Sequence, residues 1–425
     1  MAATAVVLAA AGLSACSGGS SGGGGSAPGV TGSAVDVGAL ATESGPLSSG
    51  FGEIVDGVRA YFDMVNATGG VDGRKLVLAH VADDGGSPTG DTQAARRLVG
   101  DHVFAIVGVA TPFFSAASYL AGTGTPTFGE VVSPGWAGHD NLFGTFGSTL
   151  DYSTDASAIA WFAHQVGAST AAVIAYNGVA QSQDACKADA AGLKRFGVAV
   201  PVADYNYQLG GNPDADVFRM AGNNVQLVVS CLAGADNLKL DQVMKQYKLQ
   251  NASTLWLDGY SRQVVKQNPA AMEKVYFLFQ HVPFEAASSY PTKYPGIVQY
   301  VDAMTTYAPK WTYDETAMQG WIDAAQFVAG LRAAGRHPTQ QAVVAAINRE
   351  TAFTAGGLMP PIDWRVAHTS SPPPWCSAFA EAYQGGTVDA LVRNGARLFA
   401  CFNANSDNPV TAPAGTPGAA GTSSG

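Results

Sequence analysis

The sequence predicts an α/β protein built as two doubly wound lobes, each a mainly parallel sheet with helices on both faces. Three observations predict it. Short runs dense in Val, Ile, Leu and Phe alternate with amphipathic helical stretches, as strands covered on both faces require. The alternation runs through the chain twice, once before about residue 150 and again after it. The body from residue 34 to about 405 is too long for one ordinary core and long enough for two.

In the first block the predicted strands are residues 34–40 (AVDVGAL), 75–81 (KLVLAHV), 102–109 (HVFAIVGV) and 125–128 (TPTF). Between the first two, Ile54, Val58, Tyr61, Phe62 and Val65 recur at helical spacing on one face, and Asn66 with Gly69-Gly70 stops the helix. In the second block the strands are residues 171–176, 198–205, 225–231, 253–258 and 275–279. A helical region follows at residues 294–349, with Ala317, Trp321, Ala324, Val328 and Leu331 on one face. Residues 378–392 then read as an antiparallel hairpin turning at Gly385-Gly386.

The late helices are expected to return to the first lobe and the hairpin to the second. Two Rossmann-like lobes result, residues 34–150 with about 283–358 and residues 151–282 with about 359–405, joined by several crossover strands. Residues 406–425, rich in Pro, Gly, Ala, Ser and Thr, are expected to be disordered because they have nothing to bury.

Composition excludes several functions. Apolar residues make up 47% and charged residues 13%, so the body is globular rather than disordered. Acidic side chains outnumber basic ones 33 to 23, a net charge of −10 that opposes a nucleic-acid footprint. The seven histidines are scattered and no Cys-x-x-Cys occurs, so no metal site is expected. Between residues 34 and 405 there is no Gly-x-Ser-x-Gly elbow, no His-Glu-x-x-His and no phosphate-binding Gly-x-x-x-x-Gly-Lys loop. Neither an enzyme nor a cofactor is therefore expected.

The first fifteen residues carry no charge and are too short for a permanent span, which needs about 20 apolar residues, but they suit the apolar centre of an export signal. No Lys or Arg precedes that run, so a start upstream of Met1 is expected. Leu13-Ser14-Ala15-Cys16 resembles a bacterial lipobox, which implies a signal peptide over residues 1–16 and a lipid on Cys16. Residues 17–33 then read as a Gly/Ser tether reaching roughly 20 to 25 Å, enough to hold the body at the outer face of a cell membrane. Four cysteines remain in this exported chain and allow three disulfide connectivities. Cys186–Cys231 and Cys376–Cys401 are expected, because each pair lies within one supersecondary unit.

Residues 38–88 carry a further likeness: Ser44-Gly45-Pro46, Gly57 on a helix, Asn66-Ala67-Thr68-Gly69-Gly70-Val71-Asp72-Gly73-Arg74, then Asp83-Asp84 and Pro88. This series resembles the type I periplasmic binding proteins of the leucine/isoleucine/valine-binding branch, and the likeness extends over about residues 34–402. It implies a hinged shell that closes on a small polar ligand, an amino acid or amide-like compound, and delivers it to an ABC-type permease. A co-receptor subunit of a membrane sensor is the alternative, an exported hydrolase the one from another class, and a monomer is expected.

The resemblance also implies a site. Ligands of open parallel sheets lie beyond the carboxyl ends of the strands. There the turn at residues 108–118 would offer helix N–H groups with the Thr111 and Ser115 hydroxyls to a ligand carboxylate, and Phe113 would line the pocket. Val131 and Ser133 stand where the family adds backbone and hydroxyl contacts. Asp258, beside Tyr260, stands where relatives face a ligand ammonium, and Gln181 stands where they often present a tyrosine, a departure that points away from branched-chain amino acids. Plain structural alternatives stay open: Thr111 and Ser115 as helix caps, Phe113 as core, and Asp258 as the cap of the turn at Gly259. The Asp83-Asp84 pair is expected to tie loop backbone rather than to transfer protons.

Overall fold

The computed structural model describes residues 27–45, 48–150, 152, 155–247, 249–383, 385–391 and 397–419. The signal segment, Cys16 and the tether up to residue 26 lie outside the described residues.

The first block folds as β1 (Ala34–Ala41), α1 (Ile54–Ala67), β2 (Lys75–Asp83), α2 (Pro88–Gly100), β3 (Ala105–Ala110), α3 (Ala117–Thr123), β4 (Thr127–Gly129) and β5 (Leu142–Gly144). Its five strands form one parallel sheet in the order β2-β1-β3-β4-β5. β3 is buried along its whole length, as a central strand covered on both faces must be. β2 differs from that expectation: Leu76 and Ala82 are buried while Val77 is 39% exposed, because an edge strand presents one side to water. The three-residue β5 carries too short a pattern to be read from sequence.

The second block folds as α4 (Asp155–Gln165), β6 (Thr170–Tyr176), α5 (Ala180–Arg195), β7 (Ala199–Tyr207), α6 (Asp214–Gly222), β8 (Leu227–Cys231), α7 (Gly234–Gln246), β9 (Ser253–Trp256), α8 (Arg262–Gln267) and β10 (Val275–Phe279). Helices α9 (Ala286–Ser289), α10 (Pro295–Tyr307), α11 (Glu315–Ala334) and α12 (Gln340–Ile347) follow, then β11 (Trp375–Tyr383), β12 (Thr387–Ala390) and β13 (Phe399–Phe402). Strands β7-β6-β8-β9-β10 run parallel, and β11 adds antiparallel to β10. Both β12 and β13 pair antiparallel with β11, so the second sheet is mixed. Apolar clusters cover its two faces, one built on Phe162 and Phe379 and the other on Val217 and Leu240.

Helix α11 returns to the first sheet, where Phe327 packs against Phe62, Phe104 and Phe128 at centroid distances of 6.0, 6.1 and 5.9 Å. Asp314 caps it by accepting from the Ala317 N–H at 2.8 Å. The chain therefore passes between the sheets three times: after β5, after β10 and before β11. Cys186 of α5 is bonded to Cys231 at the end of β8, and Cys376 of β11 to Cys401, its direct partner on β13.

The tail corrects an expectation. Residues 406–419 lie on the body: the Val410 N–H donates to the Cys401 carbonyl at 2.7 Å, Thr416 is buried, and Gly418 packs beside the Tyr294 ring. Backbone pairing and the absence of bulky side chains at Ala and Gly let this segment fit a shallow surface that composition does not reveal.

Helices α1 and α11 approach through glycine. A Cβ at Gly57 would lie 1.8 Å from the Ala317 carbonyl oxygen, and one at Gly320 would lie 2.0 Å from that of Ile54. Overpacking costs about 1 to 3 kcal/mol, whereas alanine gains about 1 kcal/mol in helix propensity. Gly57→Ala is expected to lower the urea unfolding midpoint, and an unchanged or raised midpoint would show that the two backbones are not in contact.

Candidate ligand-binding cleft

Both sheets turn the carboxyl ends of their parallel strands toward a cavity of about 380 Å³, within the size range of small-molecule sites. From the first sheet, Glu130 and Val131 follow β4, and Thr145 and Phe146 follow β5. From the second, Leu257 and Asp258 follow β9, Gln280 and His281 follow β10, and Gln181 stands in the first turn of α5. Glu315 and Gln319 come from the start of α11, and residues of the third crossing between Met359 and Pro374, with Trp375, Cys376 and Ser377 of β11, complete the wall.

Of the eight residues expected at the site, Val131, Gln181 and Asp258 border this cavity and five do not. The Thr111 hydroxyl donates to the Asp84 carboxylate. Ser115 is exposed, and the helix N-terminus beside it already holds an anion: buried Asp91 accepts from the Ala116 N–H at 2.7 Å. The chain's own carboxylate thus fills the cradle expected to grip a ligand carboxylate. Phe113 is 43% exposed; its neighbour Phe114 stacks on Trp136 in the core at 4.2 Å. Ser133 leads into the single turn Pro134–Trp136. Asp84 also accepts from the Thr42 hydroxyl and the Gly86 N–H, and Asp83 from the Glu43 and Gly85 N–H groups, so the pair ties loops together.

Tyr260 is buried and bridges the lobes. Its N–H donates to Glu315 Oε2 at 3.1 Å and its hydroxyl to Glu285 Oε1 at 2.6 Å. Arg262 donates to the same Glu285 oxygen at 3.0 Å, with its guanidinium 3.7 Å from the centroid of the Tyr313 ring. Glu315 therefore borders the cavity and holds the segment that follows β9.

The cavity is acidic. Burial raises the Glu130 carboxyl from the ordinary 4.5 to about 8, with Asp258 and Asp323 adding to the rise and a hydrogen bond from Gln319 opposing it. Glu315 is held well above the usual range by burial, then by Asp258, with the Tyr260 N–H opposing. Asp258 is exposed toward the cleft, yet burial by the surrounding walls raises its carboxyl, against which the Gly259 N–H works. His281, 2% exposed, is pushed down to about 4 by burial. No lysine or arginine lines the cavity among the described residues. Glu130, Glu315, Gln319 and His281 escape a motif-based reading. Glu130, directly after the strand-ending Gly129, and His281, two residues after β10, carry a positional signal, since that rule points to strand ends.

A folded chain that retains a proton the unfolded chain has released loses stability as pH rises. For Glu130 that window runs from 4.5 to about 8. The Tm of Glu130→Gln minus that of the wild type is expected to grow through this window and level off above it. A difference independent of pH would place Glu130 in an ordinary aqueous setting.

Residues 34–387 match the family described as periplasmic binding protein. No curated protein matches the sequence. Among solved structures, a fatty acid ABC transporter substrate-binding protein from Thermomonospora curvata is 18% identical, with a TM-score of 0.70 over 92% of this chain and 98% of that one. A possible leucine/isoleucine/valine-binding protein from Rhodopirellula baltica SH 1 is 18% identical, with a TM-score of 0.69 over 84% and 96%. An ABC transporter solute binding protein from R. palustris in complex with benzoate is 17% identical, with a TM-score of 0.68 over 90% and 99%. At these identities the structures show a shared fold, whereas the family match spans most of the sequence. The chain belongs to the periplasmic binding protein family.

Proposed function

We propose that this chain is an extracytoplasmic solute-binding lipoprotein that captures a small polar metabolite between its lobes and delivers it, unaltered, to an ABC-type permease. The observation that carries this reading is a cavity bordered by strand ends of both sheets and by all three crossings between them. In such an arrangement a ligand that touches both walls stabilises the closed lobes over the open ones, and a membrane partner can sense that shift. The lobes are residues 34–150 with about 283–358, and 151–282 with about 359–405. Val131, Gln181 and Asp258 meet the ligand. The anchor is the lipid on Cys16, consistent with the finding that no described helix is long and apolar enough to cross a membrane.

Screening the protein by thermal shift against amino acids, amides, amines and aromatic acids is expected to yield a stabilising compound. At 100 times its dissociation constant that compound adds about 2.7 kcal/mol, and small-angle scattering shows a smaller radius of gyration. Asp258→Ala is expected to weaken any amine-bearing hit. Absence of a hit in every class would overturn solute capture.

In cells, Cys16→Ser is expected to move the protein from the detergent phase to the aqueous phase of a Triton X-114 partition. Unchanged partition would remove the anchor.

A further inference from the structure

The polar atoms left without a partner around the cavity share one chemistry. Glu130 Oε2 and Gln319 Oε1 are shielded from solvent and have no hydrogen-bond partner. His281 Nδ1 lies 2.9 Å from the Val282 carbonyl oxygen, which fixes the proton on Nδ1 and leaves Nε2 as a lone-pair acceptor, also buried and unpartnered. Gln319 Oε1 and His281 Nε2 are acceptors, and the Glu130 carboxyl becomes one when it gives up its proton, so a ligand that satisfies all three must bring donors. An unpartnered buried polar atom destabilises the empty protein, so a ligand that supplies its partner recovers that energy on binding.

Charge narrows the class. Asp258 raises the proton affinity of both Glu130 and Glu315, Glu130 raises that of Glu315, and no cation figures among the groups that perturb the three. A carboxylate placed here would add a further negative charge to an uncompensated set. The one helix N-terminus expected to receive a carboxylate is closed by Asp91. Among the described residues no three His, Cys, Asp or Glu side chains are grouped so as to hold a metal ion, which leaves a larger cation. Phe146, Leu150, Leu278, Met359 and Trp375 supply an apolar wall for its body.

We infer that the cleft selects an organic cation, an ammonium or amidinium group with at least two N–H donors on an apolar body and no carboxylate, held by Glu130 and Glu315 together with Asp258. This inference rests on the solute-capture reading and narrows it. Glu130 holds a proton at neutral pH in the empty cleft, where Asp258, Asp323, Glu315 and Gln319 are the titratable and polar groups that bear on it. Arrival of a cation therefore expels that proton, and affinity rises with pH through neutrality.

Benzamidine, benzamide and benzoate share one shape and carry charges of plus one, zero and minus one, so calorimetry of the full chain with the three isolates charge. Benzamidine is expected to bind at least tenfold more tightly than benzamide, with benzoate undetectable. Proton release should appear as a buffer-dependent enthalpy at pH 7. Glu130→Gln and Glu315→Gln keep side-chain shape and remove carboxyls whose ionisation burial penalises, so both are expected to fold, with Tm at or above wild type. Each should cut benzamidine affinity at least tenfold. Benzoate or leucine binding as tightly as benzamidine would overturn the charge class while leaving solute capture standing. Benzamidine binding unchanged in both variants would overturn the assigned residues. No binding by benzamidine or by pentane-1,5-diamine would overturn the inference, and only a wholly negative metabolite screen would also remove solute capture.

Discussion

One chain runs through two parallel sheets and crosses between them three times, and this connectivity constrains everything else in the molecule. The carboxyl ends of the parallel strands carry the loops that leave each sheet, and the crossings bring both sets of loops to one space. The cavity is thus a consequence of topology, and its chemistry is whatever residues stand just after the strands: Glu130 after β4, Asp258 after β9, His281 after β10. β3 and β10 are buried along their whole length, so each sheet is packed on both faces behind the wall it contributes.

The acidic wall is costly to the empty protein. Glu130 keeps its proton at neutral pH because ionisation in a confined space that no described lysine or arginine lines is worse than neutrality. Such groups contribute nothing to folding that a neutral side chain could not, and their presence at the meeting point of the lobes is best explained by what enters. Glu315 connects this chemistry to mechanics: its carboxylate accepts from the Tyr260 backbone, and Tyr260 and Arg262 converge on Glu285. On the proposed reading, a cation bound beside Glu315 would also act on its contact with Tyr260, which is the differential interaction a binding-driven closure requires.

The family's opening motif is present, yet its carboxylate cradle is not open. Asp91 lies on the Ala116 N–H and Asp84 on the Thr111 hydroxyl, so two acids of the chain stand where the resemblance implies ligand contacts. A fold shared at 17 to 18% identity with proteins named for fatty acid, benzoate and branched-chain amino acids leaves specificity to side chains at the strand ends.

The sequence by itself determined the two-block α/β architecture and the hairpin at Gly385-Gly386, and it favoured the return of the helices around Trp321 to the first sheet and the two disulfide pairs that the structure forms. These depend on periodicity and local spacing, which are written along the chain. It also marked Asp258 and Gln181, which stand at predictable strand and helix ends. Only the tertiary structure decided that Glu130, Glu315, Gln319 and His281 share one cavity, that Tyr260 joins the lobes, and that residues 406–419 lie on the body. Glu130 and Glu315 are 185 positions apart. Nothing local ties them: their meeting depends on two sheets docking through three crossings, and the proton affinity of each is a property of that shared, cation-free space.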